Sequence, residues 1–178
     1  QGFDGYRTSI DWKQLELGLL AYAVNGEPLT PEQGFPARLI IPGLYDHKSP
    51  RWIQRVEFDH EPIVDTWVER GYTEHGVILG ATVGITSPRP FETVGTSVSL
   101  EGYAFAGYHN IGKIELSIDD GPWMPITFEP APRFQWVRWA TEWSAPGRGD
   151  YQITALAMAR AVAGKDGWPT HSVVVRVR

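Results

Sequence analysis

The sequence predicts a mostly β protein, in which a β-sandwich follows a first segment that mixes helix and strand. Two observations predict this fold. After about residue 77, short apolar runs are separated by turn residues at intervals of about eight to twelve positions, as in β-sandwiches. Before that point the apolar runs are fewer and less regular. The 178 residues are 42% hydrophobic and 21% charged, which is typical of folded globular proteins.

The first segment, residues 1–76, is predicted to be a partial α+β segment. Trp12 to Ala23 predicts a short helix or helical turn followed by a strand. Asn25-Gly26 predicts a hairpin turn, because both residues tolerate positive φ. The apolar run from Ala37 to Ile41 predicts a buried strand. The alternation of apolar and polar residues from Arg51 to Phe58 predicts a further, partly buried strand.

Residues 77–178 are predicted to form a seven-stranded immunoglobulin-like β-sandwich. The clearest strand runs from Ser97 to Phe105, where alternate residues beginning with Val98 share one face. Strong turn signals lie at Asp119 to Pro122 and at Ala145 to Asp150. The seven candidate strands are Val83 to Ile85, Ser97 to Ala106, Lys113 to Ile118, Met124 to Phe128, Gln135 to Trp143, Tyr151 to Ala159 and Val173 to Val177.

The composition argues against several classes of function. The net charge of −5 argues against a general nucleic-acid binder, because such binding relies on a basic surface. The chain has no cysteine, which excludes disulfides, thiolate metal ligands and cysteine nucleophiles within it. No apolar stretch approaches the roughly 20 residues that a helix needs to span a bilayer.

Tryptophan is abundant, with eight residues in the chain. Trp136, Trp139 and Trp143 lie in one short segment, which favours a core or an interface, because each Trp buries a large apolar area. A sugar-binding sandwich is an alternative that rests on the abundance of Trp alone. Hydrolytic and metal chemistry are not indicated, because Asp119, Asp120 and the five His show no catalytic or metal-ligand spacing.

A charged loop follows the apolar run and contains most of the candidate binding residues. Arg38, Lys48 and Arg51 flank a turn at Pro42-Gly43, and turns on a rigid scaffold often carry binding groups. Arg offers a planar fork of donors that fits a phosphate or a carboxylate, and Lys adds a point charge. The loop therefore predicts an anion site, with an ordinary solvated loop as the alternative.

The same loop belongs to a longer motif. The sequence reads Leu19-Leu20-Ala21-Tyr22-Ala23-Val24-Asn25-Gly26-Glu27-Pro28-Leu29, then Gln33-Gly34-Phe35-Pro36-Ala37-Arg38, and then Arg51-Trp52. This motif resembles one in the molybdenum-cofactor domain of the sulfite oxidase family. The segment after Gly80 resembles the immunoglobulin-like dimerisation domain of that family. The resemblance implies that residues 1–76 are the C-terminal part of a molybdopterin-binding domain and that residues 77–178 form the dimerisation domain.

The resemblance also implies a cofactor and site residues. The family cofactor is molybdopterin, a pterin dithiolene that carries a phosphate. Arg38 would bind its phosphate or pterin oxygens, and Gln33, Ser49 and Arg51 would contribute from the adjoining loops. Gln33 replaces a family His and cannot carry its proton, and a plain turn residue is the alternative for this position. Arg51 replaces a family Lys with a different donor geometry. Tyr72 is the predicted catalytic hydroxyl, which would donate to a molybdenum oxygen or to the substrate; a structural tyrosine at a domain boundary is the alternative.

The function implied is oxygen-atom transfer on a small oxyanion by a molybdopterin-dependent oxidoreductase. The family binds molybdenum through a cysteine in an earlier segment, so no metal ligand is predicted here and no activity is expected from this chain alone. The run from Asp4 to Ser9 resembles the middle of the family's domain. This chain is therefore expected to be a C-terminal portion, with the missing N-terminal half of the cofactor domain as a partner.

A homodimer is the second expected assembly, since the family's second domain is a dimer module. The location is not predicted, although resemblance to bacterial family members would imply a periplasmic or extracytoplasmic one. The alternative function is a non-catalytic, immunoglobulin-like interaction module. In that reading an apolar interface is formed by Phe134, Trp136, Val137, Trp139 and Trp143.

Overall fold

The computed structural model describes residues 1–71, 79–160 and 169–178. The described residues are mostly β, as the sequence predicts. The chain forms two compact units, Gln1–Leu79 and Gly80–Arg178, which are called unit 1 and unit 2 below. Within the described part of the chain, no helix has the length and apolar character needed to cross a membrane.

Unit 1 consists of short elements joined by long loops. The elements are α1 Trp12–Leu15, β1 Leu19–Ala21, β2 Ala23–Val24, β3 Glu27–Pro28, β4 Arg38–Ile40, a 3₁₀ helix Asp46–Lys48 and α2 Thr66–Glu69. Strands β1 and β4 pair antiparallel, and β2 and β3 form a hairpin. The hairpin turn is at Asn25 and Gly26, whose φ angles are 52° and 83°, which confirms the predicted turn. The predicted helical turn and strand after Trp12 are also present.

Two predictions for unit 1 are wrong in part or in whole. The apolar run after Ala37 does form strand β4, but the strand is only half-buried, because β1 is its only strand partner among the described residues. The segment from Arg51 to Phe58 is not a strand. It makes a single isolated bridge between Ile53 and Gly2, and beyond Ile53 no neighbouring strand is available to pair with it in the described chain.

The described residues of unit 2 form two sheets. The strands are β5 Thr82–Ser87, β6 Thr93–Val94, β7 Ser97–Phe105, β8 Ile111–Ile118, β9 Met124–Pro125, β10 Val137–Ser144, β11 Gly149–Ala159 and β12 Thr170–Val177. One sheet has the order β10-β7-β5, and the other has the order β6-β12-β11-β8-β9. Neighbouring strands are antiparallel except for β12 and β6, which are parallel.

The seven candidate strands coincide with seven of these eight strands, and β6 is an addition that the sequence did not predict. Strand β9 is shorter than predicted, since it covers only Met124–Pro125. In β7 the buried residues alternate as predicted, from Val98 to Ala104. These side chains lie in one apolar core together with buried residues of both sheets, including Ile114, Ile153 and Val175. This arrangement is consistent with a β-sandwich.

The aromatic residues of β10 divide between the core and the surface. Trp139 is buried in the core with Val137, and Trp143 packs at its edge against Tyr151. Trp136 is 55% exposed. Core packing, which the sequence favours for the Trp cluster, is therefore found for Trp139. The apolar interface expected for an interaction module is wrong at Val137 and Trp139, because both side chains are buried in the core.

Candidate anion site

The candidate site lies where the turn after Leu29 meets the loop that follows β4. Backbone hydrogen bonds fix the two segments to one another. The N–H of Leu39 donates to the carbonyl of Pro50 at 2.9 Å, and the N–H of Trp52 donates to the carbonyl of Gly34 at 3.3 Å. Because both ends of the loop are held in this way, the side chains of Arg38 and Arg51 project from a defined backbone.

Both arginines bind the carboxylate of Asp46. Arg38 donates from Nη2 to Oδ1 at 3.0 Å, and Arg51 donates from Nη2 to Oδ2 at 3.4 Å. The exposed fractions of these side chains are 19% for Arg38, 39% for Arg51 and 70% for Asp46. Two positive groups thus converge on one negative group, which leaves the cluster with a net positive charge. We call the two arginines Arg38 and Arg51, which Asp46 bridges, the anion site.

Gly34 allows the two arginines to approach each other. A Cβ at this position would lie 2.9 Å from Cβ of Arg51 and 3.1 Å from Cβ of Arg38. Its φ angle of +110° is also one that L side chains rarely adopt. The glycine of the Gln33 to Arg38 motif therefore has a steric role in bringing the two side chains together.

Arg38 has a donor that no other group of the described chain uses. Its Nη1 donates to the carbonyl of Gln33 at 3.4 Å and its Nη2 donates to Asp46, but its Nε is buried without a hydrogen-bond partner. A buried donor without a partner costs free energy, about 1–3 kcal/mol for a typical group. An acceptor with several oxygens would remove this cost.

Gln33 and Ser49 lie on the segments that carry the arginines, but their side chains bond to the backbone. The Oε1 atom of Gln33 accepts from the N–H of Thr30 at 2.8 Å. The hydroxyl oxygen of Ser49 accepts from the N–H of Ile41 at 3.1 Å, and Ser49 is buried. Both side chains shape the loops in this structure, and their contact with a cofactor stays a prediction. Tyr72, the predicted catalytic residue, lies outside the described residues.

A buried ion pair anchors the loop from beneath, and the sequence did not predict it. Lys48 and Asp65 form this pair, with side-chain exposures of 5% and 3%. Lys48 also donates from Nζ to the carbonyl of Ser9 at 2.9 Å. Asp65 accepts from the N–H of Ser9 at 2.6 Å and from the hydroxyl of Thr8 at 3.0 Å. The pair ties the charged loop to the N-terminal segment.

The charge of Asp65 is stabilised by these partners. Burial alone would raise the pKa of its carboxyl group, but hydrogen bonds from Lys48, Ser9 and Thr8 and the Lys48 charge together hold that pKa below its usual value. The carboxylate is therefore ionised at neutral pH and neutralises Lys48. Lys48 is thus a structural cation, although the sequence groups it with the arginines of the loop.

Tyr6 is a second residue that the sequence did not single out. Its hydroxyl donates to the backbone carbonyl of His47, next to Asp46 in the 3₁₀ helix. Burial, with the negative charges of Asp65 and Asp46, raises the pKa of Tyr6 to about 12. The hydroxyl is therefore protonated throughout the physiological range and remains a donor to the loop.

Sequence signals for these residues are weak. Asp65 stands directly before helix α2, where an acidic residue is usually interpreted as an N-cap, yet its side chain makes no capping hydrogen bond. Nothing in the spacing of Lys48 separates it from a solvent-exposed lysine. In the parts of the chain that the structure describes, no group of three or more His, Cys, Asp and Glu could hold a metal ion.

Comparison with known proteins assigns a class to the segment that carries the anion site. Residues 1–67 match the family model described as the oxidoreductase molybdopterin binding domain. This match covers nearly all of unit 1, including Arg38, Arg51, Asp46 and both members of the buried ion pair. Residues 1–67 are therefore similar to the molybdopterin-binding domain of oxidoreductases.

Three individual relatives show which proteins the chain is similar to. The uncharacterized oxidoreductase YuiH of Bacillus subtilis is 49% identical over 75 residues, which are 41% of this chain and 38% of that protein. Mitochondrial sulfite oxidase of Homo sapiens is 29% identical over 165 residues, which cover 79% of this chain and 30% of that protein. Nitrate reductase [NADH] of Hordeum vulgare is 26% identical and covers 86% of this chain and 20% of that protein.

The family model and these relatives confirm the resemblance to the sulfite oxidase-like family of molybdopterin-dependent oxidoreductases that is seen in the sequence. The chain spans less than two fifths of the length of each of these relatives.

Proposed function

We propose that this chain is the C-terminal portion of a molybdopterin-dependent oxidoreductase and that its anion site holds the phosphate end of the cofactor. The observation that carries this proposal is the convergence of Arg38 and Arg51, with one buried arginine donor left unpaired. Residues 1–76 would then be the C-terminal part of the cofactor domain, and residues 77–178 the immunoglobulin-like dimerisation domain. When bound, the cofactor supplies the two-electron chemistry of oxygen-atom transfer.

The donors of the site fit a phosphate group. Two guanidinium groups present planar forks, and phosphate oxygens match such forks in a bidentate manner. The Nε of Arg38 is a further donor of the same guanidinium group, and it has no hydrogen-bond partner in the described chain. In the proposed function, these residues bind and orient one end of the cofactor, and Lys48 and Asp65 hold the loop in position.

The roles of Gln33, Ser49 and Tyr72 are also part of this proposal. Gln33 and Ser49 would contact polar atoms of the cofactor from the two segments that carry the arginines. Tyr72 would donate its hydroxyl to the substrate, for which a small oxyanion is the proposed class. The sulfite oxidase and nitrate reductase relatives support that class, because each is named for chemistry on a small oxyanion.

The exposed apolar surface of unit 1 supports a further part of the proposal, which is that a partner segment completes the cofactor domain. Successive strand residues point to opposite faces, yet Leu19 and Leu20 of β1 are 61% and 59% exposed. Both faces of the β1–β4 sheet are therefore open to solvent at β1. We propose that the missing N-terminal half of the cofactor domain covers them. Other exposed apolar residues of unit 1 are Tyr22, Val24, Phe35, Ile40, Val56 and Phe58.

Unit 2 is proposed to form a homodimer. An aromatic cluster lies at one end of its three-stranded sheet, where the Trp136 ring is 5.0 Å from Tyr103 and 4.8 Å from Phe105 between centroids. Trp136 and Tyr103 are exposed. Exposed aromatic rings are enriched in interfaces, and a two-fold axis is the commonest symmetry of homo-oligomers. Analytical ultracentrifugation of the chain measures the association directly.

The cofactor proposal is tested by replacing Arg38 with Gln in the full gene product that contains this chain. We expect R38Q to lower the molybdenum and pterin content about tenfold or more, since a charged hydrogen bond to phosphate is lost. Arg55→Gln is the matched control, because the Arg55 side chain is exposed and forms an ion pair with Glu57 at the surface of the described chain. Metal analysis and pterin fluorescence give the content of each protein.

Two results would contradict the proposal. Equal cofactor content in R38Q and R55Q would remove Arg38 from the site. Absence of molybdenum and pterin from the unmodified gene product would contradict the proposal that it is a molybdopterin-dependent oxidoreductase. The second candidate, a non-catalytic interaction module, would then remain. The complete apolar core of unit 2 and its exposed aromatic cluster favour that second candidate.

A further inference from the structure

We propose that the Asp46 carboxylate is an internal competitor for the anion site, which occupies the two arginines until a dianionic phosphate group displaces it. This inference rests on the proposed function, because it concerns the same arginines. Each carboxylate oxygen of Asp46 accepts from a different guanidinium group, at 3.0 Å and 3.4 Å. A carboxylate held in this way has the charge sign and the planar acceptor geometry of a bound oxyanion.

The Asp46 carboxylate is exposed enough to move away from the two arginines. Its side chain is 70% exposed, against 19% for Arg38, so it approaches the arginines from the solvent side. Ion pairs at exposed positions are weak, because water and salt screen them. Rotation of one short side chain would release the carboxylate to solvent without moving the backbone.

The arginines have other contacts that would keep them in place when Asp46 leaves. Arg38 donates from Nη1 to the carbonyl of Gln33 at 3.4 Å, and Arg51 donates from Nη1 to the carbonyl of Glu32 at 3.2 Å. Both acceptors belong to the turn that contains Gly34. The two forks are therefore pre-organised, and a ligand does not have to order them.

The backbone of Asp46 is likewise fixed independently of its carboxylate. Asp46 begins the 3₁₀ helix, and its carbonyl accepts from the N–H of Ser49 at 2.8 Å. The neighbouring carbonyl of His47 accepts from the Tyr6 hydroxyl. Loss of the carboxylate should therefore change the charge of the site and leave the fold of the loop intact.

Competition of this kind selects the class of ligand. An incoming anion must interact with the arginines more strongly than the carboxylate does. A phosphate monoester carries up to two charges and three terminal oxygens, so it can accept from both guanidinium groups at once. A monocarboxylate offers no such advantage. Asp46 thus favours dianionic phosphate groups over carboxylates of similar size.

The test is a titration of the cofactor-free full gene product that contains this chain with inorganic phosphate at constant ionic strength. The readout is the Nε–Hε signal of Arg38 in ¹H–¹⁵N spectra, identified by its loss in R38Q. We expect D46N to bind phosphate about fivefold more tightly than the unmodified chain, since two exposed ion pairs no longer compete. Asp59→Asn is the control, because it removes the same charge from an exposed position whose carboxylate accepts from the N–H of His60.

The outcomes separate this inference from the proposed function. Tighter phosphate binding by D46N with less than a twofold change in D59N supports the inference. The inference is wrong if D46N and the unmodified chain bind phosphate equally, or if D59N improves binding as much as D46N does. Either result would leave the proposed anion site unaffected. If phosphate shifts no Arg38 signal in any of these proteins, both the anion site and the inference fail.

Discussion

Tyr6 gives a residue-level prediction that titration can check. Its pKa is raised to about 12 by burial and by the nearby Asp65 and Asp46 charges, from an ordinary value of 10.0. The folded state therefore keeps a proton that the unfolded state loses. The resulting stability is fully present below pH 10, and it is lost as pH rises from about 10 through about 12.

Replacing Tyr6 with Phe should remove one high-pKa tyrosine from the ultraviolet titration of the chain, which contains seven. The difference between the tyrosinate absorbance curves of the unmodified chain and Y6F should have its midpoint near pH 12. The free energy of unfolding should also fall less steeply in Y6F between these pH values. A difference curve centred near 10 would show that the Tyr6 hydroxyl is solvated and does not hold the loop.

The site residues show where reasoning from sequence succeeds and where it stops. Arg38 and Arg51 could be predicted, because charged residues beside a Pro-Gly turn in a recognisable motif indicate an anion site. Lys48 carries the same sign of charge in the same loop, yet it is buried against Asp65. Asp65 is 17 positions further along the chain, and only the fold brings the two together. Pairing at this distance leaves no periodic signal in the sequence.

At the scale of elements, strand β7 depends on Gly102. A Cβ at this position would lie 2.1 Å from the carbonyl oxygen of Gly84 on β5 and 2.2 Å from Cζ2 of Trp139 on β10. Neither a backbone carbonyl in a sheet nor a buried indole ring can move freely. The absence of a side chain therefore makes room for Trp139 in the core.

We expect Gly102→Ala to lower the free energy of unfolding by about 2 to 3 kcal/mol, as overpacking of a core does. Gly95→Ala is the matched control, because a Cβ there would meet no atom within 4 Å. Urea unfolding followed by Trp fluorescence measures both variants. Equal stability of the two would mean that β7 shifts to accept the methyl group and that the close packing of Trp139 is not rigid.

The strands of unit 2 were predictable because each has a sequence pattern that matches its surroundings. In β7 one face meets the core and the other does not, so alternate residues are apolar. The same alternation after Arg51 predicts a strand that is not formed. Val56 and Phe58 are exposed, and no sheet or core lies beside them in the described chain. A two-residue period thus predicts which residues could share a face, whereas a strand also needs a partner.

At the scale of the whole molecule, the two units differ in how much apolar surface they bury. Of the hydrophobic residues described in unit 1, only Leu29, Ile41 and Leu44 are fully buried. Among the described residues of unit 2, a core of sixteen buried residues spans both sheets. Apolar burial is the main favourable contribution to folding, at about 25 cal/mol per Å². Unit 2 should therefore be much the more stable of the two units.

This difference predicts that residues 80–178 fold as an isolated piece, whereas residues 1–79 do not form a stable fold alone. The isolated unit 2 should give a dispersed amide spectrum and one cooperative urea transition, because its core is complete within the unit. The isolated unit 1 should bind a hydrophobic dye and unfold at low urea, because its exposed apolar residues lack a cover. A cooperative, dye-free unit 1 would contradict the proposal that the rest of a cofactor domain covers its β1–β4 sheet.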